Sequence, residues 1–391
     1  MDSKRSTIMH VAPTPFFSNR GCHIRIKNIV DALSTQGIQS VICTYHLGDS
    51  PPNVDVRRTY PIKAYTKRDA GFSPYKFPAD LLLLFLCLKV AWKEKPSVIY
   101  GHLHEGVLIG WVVKMVLFWR GIDLVMDMQG SLSGELKAYG TVGETSRAFK
   151  LIRWIESIIC KLPRKITCSS IESESCLTNQ FGINEKVSSC LPDVVGETFF
   201  DVCDGLTHKK NLGIPHEQKV VLYSGALLNG KGVEVLYSAM VLLCEMRNDC
   251  HFLLIGYPEL EAQKFVEANE LQARCTLTGE VKYSNLAQNL AVGDVAIDPK
   301  AQNSGEASGK ILHYMAAGLP VVCFDLPNNR NLLAQNGSYA VDLTAEGLAS
   351  RIDESLNDLD KEKKKGQLLR KVAERNYSVS TSGKQLLEIF A

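Results

Sequence analysis

No apolar run in this 391-residue chain reaches the ~20 residues that cross a bilayer as a helix. The longest are 81–88 (LLLLFLCL) and 106–119 (GVLIGWVVKMVLFW), the second interrupted by Lys114. The preferred reading of each is a helix buried in an α/β layer. The alternative is an interfacial helix that sets Trp111, Phe118 and Trp119, flanked by Lys114 and Arg120, among headgroups. The first residues, MDSKRSTIMHVAPTPFF, carry no apolar signal-peptide core, so a cytoplasmic protein is expected, with any peripheral membrane contact at the inner face. The twelve cysteines form no CxxC pair and no zinc-ligand spacing, which excludes the common zinc modules. Cys43, Cys168 and Cys323 lie inside apolar runs and read as small buried hydrophobes of a reducing compartment. There is no basic tract interleaved with aromatics, so no nucleic-acid partner is expected. Repeats and low-complexity tracts are absent as well.

What is present is ordinary for a soluble globular protein: 45% hydrophobic and 22% charged residues. The length exceeds what one core usually supports, so two domains are expected. The net charge of +2 is unevenly spread, since residues 1–200 hold 24 Lys/Arg against 18 Asp/Glu and the remainder 20 against 24. A basic first half suits a phosphate-bearing substrate or an anionic membrane face, and equally suits scattered solvated lysines.

Strand-like runs alternate with helical ones: 7–12, 40–45, 97–100, 123–128 and 165–169, with a helix from about Gly21 presenting Ile26, Ile29, Val30 and Leu33 on one face. The periodicity fails over 191–217, a stretch that reads as a linker. A second alternation follows, with strands at 220–224, 252–255, 276–278, 295–298 and 321–324. The pattern predicts two doubly wound parallel sheets, one in a domain over 1–200 and one in a domain over 201–375.

Two segments carry chemistry. In 224–236 (SGALLNGKGVEVL) a buried strand ends at Gly225, and Lys231 and Gly232 open a helix. A lysine there supplies charge to a diphosphate while helix amides supply donors, although a solvated loop lysine is an equal reading. In 304–322 (SGEASGKILHYMAAGLPVV) Ser308 and Gly309 open a helix as cap and first residue, and Lys310 adds charge. Ile311, Leu312 and Met315 read as core-facing, with Lys310, His313 and Ala317 on the opposite face. Glu306 precedes the helix, where it can accept hydrogen bonds from sugar hydroxyls or merely complement the helix dipole.

These segments, with the IDP strand at 297–299 and the closing run 376–390 (NYSVSTSGKQLLEIF), resemble the GT-B glycosyltransferases of glycosyltransferase family 4 over nearly the whole chain. The family's Glu, seven residues, Glu element corresponds to 304–322. The resemblance implies two Rossmann-like domains facing across a cleft, with a C-terminal helix over 376–391 returning to the first. It implies a nucleotide-sugar donor held by the second domain, a sugar, lipid-linked or small-molecule acceptor held by the first, and transfer with retention. No metal or other cofactor is expected; the one Asp-x-Asp pair, Asp358 and Asp360, sits in a charged helical tail. Arg20 and Gly21 match the family's loop after strand one, near the diphosphate, and GHLHEG (101–106) matches a His-x-His-Glu patch that offers His104 and Glu105.

Three positions depart from the family pattern. Ala226 stands where a loop arginine usually accompanies the lysine. His313 occupies the place of the second glutamate, which leaves Glu306 one residue closer than the usual spacing. Gln129, next to Asp127, replaces a cleft histidine and can orient a hydroxyl without acting as a base. The expected donor contacts are therefore Arg20, Gly21, Gly225, Lys231, Ser308, Gly309, Lys310 and His313, with Glu306, Lys231, His104 and Gln129 as catalytic candidates. The expected activity is sugar transfer to an acceptor hydroxyl in cell-surface polysaccharide or glycolipid synthesis. Alternatives are a non-catalytic sugar-nucleotide-binding protein and a UDP-sugar 2-epimerase. A nicotinamide dehydrogenase is disfavoured because neither first strand is followed by G-x-G-x-x-G.

Overall fold

The computed structural model describes residues 7–67, 73–134, 143, 145–201, 203–228, 230–301 and 308–390. The chain divides into two compact units, one before and one after the Val194/Val195 bond, with the helix Val379–Phe390 belonging to the first.

The first unit is a seven-stranded parallel sheet in the order β3-β2-β1-β4-β5-β6-β7. Its strands are β1 (Thr7–Ala12), β2 (Gln39–Thr44), β3 (Asp55–Arg58), β4 (Val98–His102), β5 (Asp123–Met128), β6 (Lys165–Cys168) and β7 (Ser188–Cys190). Its helices are α1 (Gly21–Thr35), α2 (Lys76–Glu94), α3 (Leu103–Val116), α4 (Arg147–Ile159) and α5 (Ile171–Phe181). Alternate residues of the inner strands serve opposite layers, as a two-period strand requires. Met9 and Val11 pack beneath α2 and α3, while Ile8 packs with Ile29 and Leu33 of α1 and Leu386 of the C-terminal helix.

The apolar stretch at 81–88 lies in α2, and that at 106–119 lies in α3 and the turn just after it, but neither helix is buried on all sides. Leu83, Cys87 and Val113 face the core, whereas Leu81, Phe85, Trp111 and Met115 are exposed. The correction has a simple cause: a helix covering one face of a sheet needs only one apolar stripe, and these carry two. No helix among the described residues is long and apolar enough to cross a membrane.

The second unit holds a six-stranded parallel sheet in the order β10-β9-β8-β11-β12-β13. The strands are β8 (Lys219–Ser224), β9 (Cys250–Ile255), β10 (Cys275–Leu277), β11 (Val295–Asp298), β12 (Val321–Phe324) and β13 (Ser338–Ala340). Between and after them run α6 (Gly205–Asn211), α7 (Val233–Met246), α8 (Leu260–Ala268), α9 (Tyr283–Leu290), α10 (Gly309–Ala316), α11 (Pro327–Leu333), α12 (Ala345–Asn357) and α13 (Leu359–Tyr377). One face of the sheet is covered by α7 and α12, the other by α10 and α13.

The stretch 191–217 is not a free linker. Leu191 and Val194 are buried in the first unit, and Val195, Phe199 and Ile214 in the second. Widely spaced anchors of this kind, with the short helix Gly205–Asn211 among them, impose no sustained period. The strands β3, β7 and β13 were not expected either. All three are outer strands, short and half-polar, and lack the continuous apolar run of a strand covered on both faces.

Candidate functional site

The strand order of the second unit reverses between β8 and β11, and the carboxyl ends at such a reversal leave a crevice where α/β proteins bind ligands. Two glycines shape the loop there. Gly225 adopts φ 145°, and a Cβ on it would lie within 3.5 Å of the Lys310 ammonium. Gly232, with φ 83°, caps α7 so close to β11 that a Cβ would sit 2.3 Å from the Pro299 carbonyl oxygen. Lys231, half-buried, stands between that glycine and Gly230.

Across from this loop begins α10. Its N-cap position is Ser308, as expected, but the serine's own side chain makes no cap bond. The Ser308 hydroxyl is buried and makes no hydrogen bond among the described residues. An unmet buried polar group costs about 1–3 kcal/mol, so this hydroxyl is a point where a ligand gains by binding. Lys310 Nζ lies 3.3 Å from Asp298 Oδ1 at the end of β11 and 4.5 Å from the centre of the Tyr223 ring. Burial alone would lower the lysine's pKa, but Tyr223 and Asp298 outweigh it and hold Lys310 protonated well above its usual range. One turn on, the Tyr314 hydroxyl accepts from the Ser224 amide at 2.7 Å, tying α10 to the end of β8. The result is a fixed cation, a helix start whose own serine makes no cap bond and two close-packed glycines at one strand-end cluster.

His313 is on the same helix but in a closed setting. Its Nε2 is 3.1 Å from the Tyr283 hydroxyl, and its ring lies 4.4 Å from that of Phe199. Burial lowers its pKa to about 4, so the imidazole is neutral at physiological pH. The face of α10 expected to point away from the core is therefore itself covered. Glu306 lies outside the described residues.

In the first unit the corresponding reversal falls between β1 and β4. The loop into α1 is wound around His23, whose Nε2 is 2.6 Å from Thr14 Oγ1 and whose Nδ1 accepts from the Ser18 amide at 3.0 Å. Burial and then the nearby Arg20 charge lower His23 to a pKa of about 3. Arg20 is the N-cap residue of α1, without a side-chain cap bond, and a Cβ at Gly21 would meet nothing within 4 Å. The expected pair thus flanks a helix start without a cap bond from its own N-cap side chain, as Ser308 and Gly309 do.

Beneath this loop lies a buried polar network. Asp127 accepts from Arg25 Nη2 at 2.8 Å, from His102 Nδ1 at 2.9 Å and from Gln129 Nε2 at 2.8 Å. Arg25 also bridges to Asp193 at 2.8 Å, and His102 Nε2 is 3.0 Å from His10 Nδ1. Burial works to raise the Asp127 pKa, but Arg25 and His102 overcome it and hold the carboxylate ionised well below its usual range. Gln129 is thereby oriented by a buried charge, and its amide nitrogen is used. His104 Nε2 lies 3.4 Å from Glu156 Oε1 on α4, and Glu156 also accepts from Ser133 Oγ at 2.6 Å and the Leu132 amide at 2.8 Å. Glu105 pairs with Lys76 at 2.9 Å. Sequence reasoning missed Arg25, His10, His102 and Glu156, which meet partners far away in the chain; buried charged residues inside apolar helices and strands were the available signal.

Known proteins bear on both units. Residues 218–358, inside the second unit, match the family model described as "Glycosyl transferases group 1". HepE of Anabaena, solved with UDP and glucose, is 15% identical over 98% of each chain with a TM-score of 0.77. Sucrose-phosphate synthase of Thermosynechococcus elongatus is 16% identical over 99% of this chain and 98% of its own, with a TM-score of 0.80. The fold is that of the GT-B glycosyltransferases. Alpha-D-kanosaminyltransferase of Streptomyces kanamyceticus is 26% identical over 181 residues, 44% of this chain and 46% of its own. The chain spans about half the length of the curated relatives it matches.

Within this GT-B frame the second unit gathers Gly225, Ser308, Gly309 and Lys310 at one strand-end cluster, with Lys231 on the loop packed against it. The first unit places Arg20 and Gly21 together at a helix start and, separately, gives Gln129 and His104 each a buried carboxylate. Among the described residues no group of three His, Cys, Asp or Glu side chains is placed to hold a metal.

Proposed function

We propose that this chain is a glycosyltransferase that takes its sugar from a nucleoside diphosphate donor. The observation that carries the reading is the start of α10: a buried Ser308 hydroxyl with no partner among the described residues and a lysine fixed as a cation, at the strand reversal of a segment that matches a glycosyltransferase family model. Helix amides and a point charge are what a diphosphate requires. Lys310, Lys231 and the amides at Ser308 and Gly309 hold the diphosphate and Glu306 the sugar, while His313, closed in by Tyr283 and Phe199, packs the helix rather than meeting the ribose as expected. Arg20 and Gly21 add a second phosphate contact, and His104 and Gln129 serve the acceptor.

As in family 4, which the sequence resembles, transfer proceeds with retention and without a metal. The bond from the anomeric carbon to the phosphate oxygen breaks, the bond to the acceptor oxygen forms on the same face, and the acceptor proton passes to the departing phosphate. No protein base is required, which suits a site whose Gln129 cannot take a proton. The fixed cations stabilise charge that grows on the diphosphate as the bond breaks. HepE was solved with UDP, so a UDP-sugar is the first donor to test, and the acceptor class is a hydroxyl of a cell-surface polysaccharide or glycolipid precursor.

A thermal-shift screen against UDP-, GDP- and ADP-sugars tests the reading, because a ligand that binds only the folded state raises its melting temperature. A selective rise with one nucleotide is expected, along with slow donor hydrolysis when acceptor is withheld. Silence with all three sinks the proposal, and a rise without hydrolysis or transfer leaves a binding protein. Lys231→Ala should reduce turnover about a hundredfold, the scale of removing one charge-stabilising group, while leaving the melting temperature unchanged; near-normal turnover removes Lys231 from the site.

A further inference from the structure

The exposed apolar side chains are unevenly placed. All four tryptophans of the chain are in the first unit, on α2, α4, α3 or the turn just after α3, and all are exposed: Trp92 by 59%, Trp111 by 38%, Trp119 by 59% and Trp154 by 62%. The three helices form one layer over the sheet, with α3 packed between α2 and α4. On α4 the polarity runs opposite to a normal surface helix, since its buried positions include Glu156, whereas Leu151, Trp154, Ile155 and Ile158 form an exposed stripe at helical spacing. Contiguous apolar surface of this extent marks an interaction site.

Charge identifies the occupant. Segments 76–95, 103–120 and 147–164 hold eleven Lys/Arg and four Asp/Glu. Of the four carboxylates, Glu156 is buried, Glu105 pairs with Lys76, Asp80 accepts from the Tyr45 hydroxyl at 2.5 Å and Glu94 lies 3.8 Å from Lys93. Lys89, Lys95, Lys114, Arg147, Lys150 and Lys161 have no carboxylate at ion-pair distance among the described residues. Several interleave with the apolar stripe: Lys114 sits between Trp111 and Met115, and Lys150 beside Leu151. A second copy of the chain on this face would bring like charges together. Indole rings belong at the headgroup level, lysine stems cover apolar surface while their ammonium groups reach phosphate, and no spanning helix is needed.

We propose that the layer α2–α3–α4 docks the protein on an anionic lipid bilayer, lying in the interface with tryptophans at the headgroups and lysines on lipid phosphate. The surface is independent of the donor site, and its test needs no sugar nucleotide. The full chain is sedimented with vesicles of phosphatidylcholine alone or mixed with phosphatidylglycerol, across a salt series, while tryptophan emission is followed. Binding should require the anionic lipid, weaken with salt and shift the emission to the blue. The double variant Trp111→Ser/Trp154→Ser should lose about tenfold in affinity, and Lys114→Glu/Lys150→Glu at least as much. The Trp154 and Lys150 side chains are exposed and those of Trp111 and Lys114 partly buried, so the circular dichroism melt of each variant is recorded and affinities are compared below its transition. Failure to bind anionic vesicles, equal binding to neutral ones, or unchanged affinity in the tryptophan variant overturns the proposal. So does concentration-dependent self-association that the variants abolish, which would make the face a contact between copies.

Discussion

Lys310 shows how one residue joins stability to chemistry. Its ammonium is kept charged by Asp298 and Tyr223, so removing it would do more than delete the proposed phosphate contact. Lys310→Met leaves the Asp298 carboxylate buried without its counter-charge, a loss of about 3 kcal/mol. Adding Asp298→Asn should restore most of the melting temperature while donor binding stays weak. A double variant as unstable as the single would show that the pair is not coupled. The sequence marked Lys310 and Lys231 as candidates because each stands at a strand–loop–helix junction, where a lysine can meet phosphate. It showed Asp127 beside Gln129 but concealed their network, because Arg25, His102 and Asp127 come from three separate elements whose adjacency exists only after the sheet has formed.

At the level of elements, the inner strands and the edge strand Cys275–Leu277 were legible, and the other three edge strands were not. Strands covered on both faces read as apolar runs, whereas Asp55–Arg58 or Ser188–Cys190 satisfy their edge positions with polar residues. The helices α2 and α3 were placed correctly and their burial misjudged, since an apolar residue reads alike whether it meets the core or another surface. Helix contacts offer a direct test. Gly383 of the C-terminal helix lies against α1, where a Cβ would come within 2.4 Å of the Ala32 carbonyl oxygen. Gly383→Ala gains about 1 kcal/mol of helix propensity. The overlap with a backbone carbonyl, which cannot swing aside, costs more, about 1–3 kcal/mol. The net effect should be a looser final helix, seen as faster amide exchange over 379–390. Protection equal to wild type would mean that α1 shifts at little cost.

For the molecule as a whole, acid is the revealing variable. Among the described residues four histidines are buried with pKa values held down chiefly by desolvation: His10 well below its usual range, His23 at about 3, His251 at about 4 and His313 at about 4. The unfolded chain takes up protons near pH 6.5 and the folded chain resists until far lower. The stability these residues leave intact above pH 6.5 is therefore lost as pH falls toward 4, by on the order of 1 kcal/mol per histidine at one unit below 6.5. Glu156, held at about 2 by His104 and Ser133 against its burial, adds a loss that begins only below about pH 4.5. The melting temperature should thus start to drop between pH 6.5 and 5, before carboxylates titrate, and His313→Gln should flatten that early slope. A melting temperature constant down to pH 5 would contradict the buried, neutral state of these rings.

The helix Val379–Phe390 carries one more consequence. Leu386 and Val379 complete the core around Ile8, Ile29 and Tyr100, and the Phe390 ring meets Tyr100 edge-on at 5.3 Å. During synthesis, the strands that open the chain wait through the making of the entire second unit before this cover arrives. The half that leaves the ribosome first is the last to be sealed, and until then it depends on whatever else can shield its open flank.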